Sequence, residues 1–286
     1  MKNVKVILWG LGAMGGGIGK MLTKKKGVDI VGAIDIGDKI GKSLYDVVPG
    51  IVKGDREDVI VGTPEEVIKP GAADIVVVCT NSFTKDVFDK LVFVMERGMN
   101  VITSAEEMAY PQAQEPELAK KLDEIAKKNG VSVMGTGINP GLIMDLLVVL
   151  WTAACEEVNH VTSRRVNSLS PFGPAVMEEQ GIGISVEEFN ERKANGTMTG
   201  HVGFAESTMM ICDALGWKWD DFGQDMEPIV TDVDRKSPYG FAAAGQVAGV
   251  AMKGWVNIDG ERKIDMDHPQ QIEPEQVGVH TGDYVI

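Results

Sequence analysis

The stretch from Lys5 to Asp35 leaves this chain few folds to choose from. An apolar run, Lys5-Val6-Ile7-Leu8-Trp9, feeds Gly10-Leu11-Gly12-Ala13-Met14-Gly15. Amphipathic residues follow, and a second apolar run, Ile30-Val31-Gly32-Ala33-Ile34, ends in Asp35, 20 positions beyond Gly15. A bare G-x-G-x-x-G is common by chance and can be a purely structural turn. With strand, helix and terminal acid in register it reads as the βαβ unit that binds a dinucleotide. Gly10 permits the tight turn, Gly12 lets backbone approach a pyrophosphate, and Gly15 lets helix pack on strand. The free N–H groups around Leu11, Ala13 and Met14 face the phosphates. Asp35 is placed to accept hydrogen bonds from the adenosine ribose, and its charge repels a 2′-phosphate. NAD therefore ranks first, with Lys39 and Lys42 near enough for NADP to be tolerated.

Strand and helix patterns then alternate. Ile40 to Val48 carries a short helical pattern and Val59-Ile60-Val61 a brief strand. Thr63-Pro64-Glu65-Glu66 reads as an N-cap, a proline at the first helical position and acids in the first turn. Ala73 to Cys79 is a nearly continuous apolar run, as a parallel strand covered on both faces requires. Ser82 is expected to cap a helix through Arg97, Val101 to Thr103 to form the next strand, Glu115 to Lys128 a charged amphipathic helix, and Val131 to Met134 another strand. The expected class is α/β, a doubly wound parallel Rossmann sheet. Ligands of such sheets lie beyond the carboxyl ends of the strands. Those ends are Gly10 to Gly15, Asp35, Cys79-Thr80-Asn81, Ser104 to Glu107 and Gly135 to Gly141.

At 286 residues the chain exceeds the usual size of one core, and its texture changes after Gly141. We expect a dinucleotide-binding domain over 1–141 and a substrate or oligomerisation domain over 142–286, an α+β unit with a mixed sheet. Its expected elements are an apolar helix from Leu142 to Ala154, a strand from Val158 to Val166, short helices at Gly173 to Gln180 and Val186 to Ala194, and a longer one at Phe204 to Leu215. Antiparallel strands are expected at Pro228 to Val233 and Ala248 to Val256, then a turn at Asp259-Gly260. Gly282 to Ile286 looks like a strand only just begun, so a further C-terminal segment is expected in a complete domain.

The net charge of −14 opposes binding to nucleic acid or an anionic membrane surface. Cys79, Cys155 and Cys212 are widely spaced, which argues against a disulfide framework and a structural zinc site. No H-x-x-x-H, H-E-x-x-H or clustered carboxylate motif suggests a metal. No apolar run approaches the roughly twenty residues of a membrane span. The reading is a reduced, cytoplasmic enzyme acting on a small molecule.

Glu106 and Glu107 stand just after a strand, at the edge where a nicotinamide would project. Acids that merely open a turn are the plainer reading, and the plainer one for Glu107 especially. The functional reading has a chemical reason. An alkylammonium cannot release hydride from its carbon, because the lone pair that must form the iminium holds a proton. A carboxylate in a cleft is a suitable base for that proton. Gly135-Thr136-Gly137-Ile138-Asn139-Pro140-Gly141 is either a plain glycine-rich loop or one held near the nicotinamide, Asn139 offering its amide and Pro140 opening a helix. Cys79, Thr80, Asn81 and Ser104 could line the cofactor cleft. Cys79 is better read as a structural thiol than as a nucleophile, because no basic residue is close in sequence. In the second half, Arg164 and Arg165 lie in a strand pattern beside Asn167, and alternation turns one guanidinium inward, suited to grip a carboxylate. A solvated surface pair is the alternative. His201, in Thr199-Gly200-His201-Val202-Gly203-Phe204, precedes a helix; a lone histidine is more often structural, and a substrate contact is the sharper reading. His268 and His280 carry no usable pattern.

Taken together, Val6 to Gly17, Ala105-Glu106-Glu107-Met108-Ala109-Tyr110-Pro111-Gln112-Ala113-Gln114, Gly135 to Gly141, Ser170-Pro171-Phe172-Gly173-Pro174-Ala175-Val176-Met177-Glu178-Glu179-Gln180-Gly181 and Asp267-His268-Pro269-Gln270-Gln271 resemble the 2,4-diaminopentanoate dehydrogenase family. That family belongs to ornithine fermentation and to the wider native amine dehydrogenases, related in fold to dihydrodipicolinate reductase. The resemblance runs essentially the whole length. It implies NAD(P)-dependent oxidative deamination of a diamino acid at C4, reversibly a reductive amination of a ketone, with Glu106 handling the amine. By analogy it implies a homodimer, and a chain that continues beyond Ile286. Two alternatives remain: an imine reductase of the dihydrodipicolinate reductase type, disfavoured because none of the four histidines adjoins another in sequence, and a dinucleotide-binding sensor without turnover.

Overall fold

The computed structural model describes residues 2–198 and 200–286; Thr199, which opens the segment carrying His201, lies outside them. The chain divides into two compact units, Met1–Gly141 and Leu142–Ile286.

In the first unit β1 (Val4–Trp9), α1 (Ala13–Leu22), β2 (Val28–Ile34), α2 (Leu44–Val47), β3 (Val61–Gly62), α3 (Pro64–Val67), β4 (Ile75–Val78), α4 (Thr84–Met95), β5 (Asn100–Thr103), α5 (Pro116–Asn129) and β6 (Val133–Gly135) follow one another. The six strands form one sheet in the order β3-β2-β1-β4-β5-β6, every pair parallel. Strand order reverses between β1 and β4, which opens a crevice beyond their carboxyl ends. Alternation along β1 feeds two cores. Ile7 and Trp9 pack with Val76, Val78, Leu91 and Leu122 on one face, while Val6 and Leu8 pack with Ala33, Leu44 and Val48 on the other. Local chemistry sets the helix ends. Thr63 and Glu66 cap α3 reciprocally, Pro116 opens α5, and Gly130 closes it in the left-handed region at φ +65°.

The second unit contains α6 (Leu146–Thr152), β7 (Val161–Ser168), α7 (Pro174–Glu179), α8 (Val186–Ala194), α9 (Phe204–Leu215), β8 (Asp221–Val230), β9 (Arg235–Lys236), β10 (Phe241–Ala242), β11 (Val247–Ile258), β12 (Glu261–Gln271) and β13 (Gly282–Val285). Its five-stranded sheet has the order β13-β7-β12-β11-β8, with β7 and β12 parallel and the other pairs antiparallel. Phe204, Ile211 and Cys212 of α9 pack with Val250, Met252 and Met266 of the sheet. The approach is close enough that a Cβ at Gly254 would meet the Phe204 ring at 2.7 Å.

Several element boundaries differ from the sequence expectation. Helix α4 starts at Thr84 after Phe83, not at a Ser82 cap. Residues 142–145 form turns, and α6 begins only at Leu146, where Asp145 accepts the Leu146 N–H at 2.6 Å. The strand expected from Pro228 to Val233 is the last part of β8, which runs from Asp221 to Val230. The whole of β12 was not anticipated from sequence, because its outward positions carry Lys263, Asp265 and Asp267.

Candidate active site

Tight backbone contacts build the glycine loop after β1. Gly10 has φ +93°, and a Cβ there would lie 2.5 Å from the Cys79 carbonyl oxygen; a Cβ on Gly15 would collide with the Gly10 carbonyl. Gly12, at the N-cap of α1, has nothing within 4 Å of where its Cβ would be. Two glycines are thus demanded by packing, and the third faces open space at a helix N-terminus, with Ala13 and Met14 exposed beside it. That is the form a pyrophosphate cradle takes, and these residues fit a dinucleotide. A cavity of about 380 Å³ joins this loop to Asp35, Cys79, Thr80 and Asn81.

Asp35 follows β2 and is held on both oxygens. Oδ2 accepts the Leu11 N–H at 2.8 Å and Lys39 Nζ at 2.7 Å, and Oδ1 accepts the Ile36 N–H at 2.8 Å. Burial pushes its carboxyl up, but the Lys39 ammonium and the two N–H groups outweigh burial and hold it below the usual range. Lys90, which the sequence reading did not single out, lines the same cavity and donates to Asn81 Oδ1 at 2.7 Å. Burial pushes the Cys79 thiol up and the Ser104 hydroxyl offsets this only in part. A thiol so placed is protonated at neutral pH and is no activated nucleophile.

Ser104 and Glu106 lie beyond β5, next to β6 and its glycine loop. The Ser104 N–H reaches the Val78 carbonyl at 3.1 Å, and the Thr136 N–H reaches the Thr103 carbonyl at 3.1 Å. Glu106 is the first residue of a single 3₁₀ turn, Glu106–Ala109, and is half-buried. The backbone on either side of it is pinned. The Ala105 N–H donates to Thr103 Oγ1 at 3.1 Å, and the Glu107 N–H donates to the Ser82 carbonyl at 3.1 Å. Gly135 lies beneath Met108 so closely that no Cβ would fit. The Asn139-Pro140 peptide is cis; Asn139 is half-buried and Pro140 buried.

Glu107, for which a structural role was the plainer reading and a substrate contact the sharper one, holds a helix end. Its buried Oε2 accepts the Thr84 N–H at 2.7 Å, at the start of α4, whose N-cap Phe83 supplies no side-chain acceptor. The carboxylate thus serves as that helix's cap from another element, where the dipole favours an anion.

In the second unit Arg164 and Arg165 separate as strand alternation requires. The Arg164 side chain is 51 % exposed and ion-paired with Asp267 at 2.8 Å; that of Arg165 is 20 % exposed and sits 3.5 Å from Asp283. Asn167 is half-buried further along β7. His268 is buried, and its Nδ1–H donates to the Arg165 carbonyl at 2.9 Å, which leaves Nε2 as an acceptor. The His201 ring crosses the His268 ring edge to face at a centroid distance of 5.0 Å and also meets Phe204. Burial first, with the charges of His268 and Arg165 adding, lowers His201 to about 3; burial lowers His268 to about 4 against the pull of its hydrogen bond. Two histidines far apart in sequence therefore form a neutral pair beside Arg165. Nothing local in the sequence marks this pair. Among the described residues no group of His, Cys, Asp or Glu is arranged to hold a metal ion, and no helix is long and apolar enough to cross a membrane.

Comparison with known proteins adds a family to this geometry. Residues 142–286 match the model of the 2,4-diaminopentanoate dehydrogenase C-terminal domain. A 2,4-diaminopentanoate dehydrogenase of Acetoanaerobium sticklandii is 68 % identical over 287 aligned positions, covering 100 % of this chain and 81 % of that protein. An amine dehydrogenase from Mycobacterium smegmatis superposes with a TM-score of 0.78 at 26 % identity, over 99 % of this chain and 82 % of its own. A putative myo-inositol dehydrogenase from Sinorhizobium meliloti shares the fold, with a TM-score of 0.55 at 15 % identity over 99 % of this chain and 72 % of its own.

Proposed function

The chain belongs to the 2,4-diaminopentanoate dehydrogenase family, and from that membership we propose that it oxidatively deaminates 2,4-diaminopentanoate at C4, releasing 2-amino-4-oxopentanoate and ammonia. It is an oxidoreductase that works with a nicotinamide dinucleotide. In the reverse direction the same site performs reductive amination of a ketone. The observation that carries the reading is the half-buried Glu106, pinned on both sides at the carboxyl edge of the sheet that holds the glycine loop.

The glycine loop would hold the pyrophosphate through the N–H groups of Gly12, Ala13 and Met14, and Asp35 the adenosine ribose. Cys79, Thr80, Asn81, Ser104, Asn139 and Pro140 would flank the rest of the cofactor. A nicotinamide dinucleotide held there would supply the acceptor for the C4 hydride. Glu106 takes the proton of the C4 ammonium, which frees the nitrogen lone pair to form the iminium as hydride departs. Water adds to the iminium, and the carbinolamine expels ammonia. Arg165, the less exposed of the two arginines and the more loosely paired, is the better of them to hold the substrate carboxylate, with His201, His268 and Asn167 at hand. We place the reaction in ornithine degradation, in the cytoplasm, and the enzyme in a homodimer. NAD is the preferred cofactor, because Asp35 stands at the ribose position.

Incubating the protein with NAD and 2,4-diaminopentanoate tests the reading. Reduced cofactor and ammonia should appear in equal amounts. Turnover of short monoamines with none of the diamino acid would sink the substrate assignment, and absence of turnover with any amine would leave a dinucleotide-binding protein without this chemistry.

A further inference from the structure

The surroundings of Asp35 are unusual for an acid that is meant to recognise a ribose. A carboxylate offers about four lone-pair positions. Three are already taken here, by the N–H groups of Leu11 and Ile36 and by the ammonium of Lys39. Lys39 also donates to the Leu11 carbonyl at 3.2 Å, so its ammonium bridges the acid and the glycine loop. It lines the cavity that holds both, and its side chain is 32 % exposed against 12 % for Asp35. The acid is fixed by backbone, whereas the lysine hangs from a flexible stem that ends a 3₁₀ turn, Gly37–Lys39. Lys42, the other nearby cation, pairs with Asp38 at 3.2 Å, and Asp38 is 92 % exposed, so that pair is a solvated one.

A lone carboxylate at this position repels a 2′-phosphate, and enzymes that accept the phosphate place a cation beside it. This chain has both groups in contact, and their charges cancel. We propose that Lys39 is the residue that admits the 2′-phosphate, leaving Asp35 for the phosphate when NADP binds and remaining on Asp35 when NAD binds. The pair is then a two-position charge gate, and removing the lysine uncovers a bare carboxylate that excludes NADP. The proposal rests on the dinucleotide reading of the glycine loop and is independent of Glu106.

Affinities for 2′,5′-ADP and 5′-AMP, measured by calorimetry without turnover, separate the two readings. A charge-assisted bond to phosphate supports about a 10- to 100-fold effect. Lys39→Met, which keeps the aliphatic stem, should lower the 2′,5′-ADP to 5′-AMP affinity ratio at least tenfold, and Lys39→Arg should restore the ratio to within threefold of the unsubstituted protein. The NADP to NAD ratio of kcat/KM should move with it. A ratio that changes less than tenfold in Lys39→Met, or an equal loss for both nucleotides, overturns the role of Lys39. Failure of the unsubstituted protein to bind either nucleotide overturns the cofactor site itself. Lys39→Ala, read in parallel, covers a folding defect in the methionine variant.

Discussion

Two buried imidazoles, His268 and His201, contribute to this protein's expected response to acid. The ordinary value for histidine is 6.5, and burial holds folded His268 at about 4. Below pH 6.5 the unfolded chain binds a proton that the folded chain does not take up until near pH 4. The stability from this group is therefore complete above pH 6.5 and is lost as the pH falls from 6.5 to 4. His201, lowered to about 3, acts in the same sense. Thermal midpoints recorded from pH 7.5 to 5 should fall, and His268→Leu should flatten that fall. Parallel slopes in the two proteins would mean that His268 does not titrate as its burial requires. Neither the burial nor the pairing was legible in sequence, because burial keeps His268 neutral and the groups that enclose it, the His201 ring and the Arg165 backbone among them, are remote along the chain. The place of Asp35 just after β2 was legible because it depends on a spacing within one βαβ unit.

Among the elements, α4 shows how a functional-looking residue can be structural. Its N-terminus has no local cap, and Glu107 supplies one from beyond β5. Glu107→Ala leaves the Thr84 N–H buried without its acceptor and removes an anion from the positive end of a helix. The loss should be about 2 kcal/mol. Glu107→Gln keeps an acceptor oxygen and should lose less. Chemical denaturation of both variants measures this, and an unchanged midpoint for Glu107→Ala would refute the cap. Sequence periodicity found the parallel strands because they are apolar on both faces, as in Ile75–Val78. It missed β12, whose outer face is charged, and placed a cap at Ser82 because serine is a good capper in general. A cap contributed from another element leaves no local trace.

Across the whole molecule, the arrangement of strand ends was the most predictable property. Parallel strands in the order β3-β2-β1-β4-β5-β6 bring the glycine loop, Asp35, Cys79 to Asn81 and the Glu106 turn to one edge, although they are spread over a hundred residues of sequence. The second unit was legible only as a mixed sheet with inserted helices, since antiparallel and parallel pairings there depend on long-range register. The proposed deamination depends on Glu106, at that edge, taking a proton from the substrate amine. The most direct measurement is turnover of 2,4-diaminopentanoate by Glu106→Gln, alongside its affinity for NAD. Loss of turnover by at least a thousandfold, with NAD affinity held within a few-fold, is the predicted result. Turnover within tenfold of the unsubstituted enzyme would contradict it.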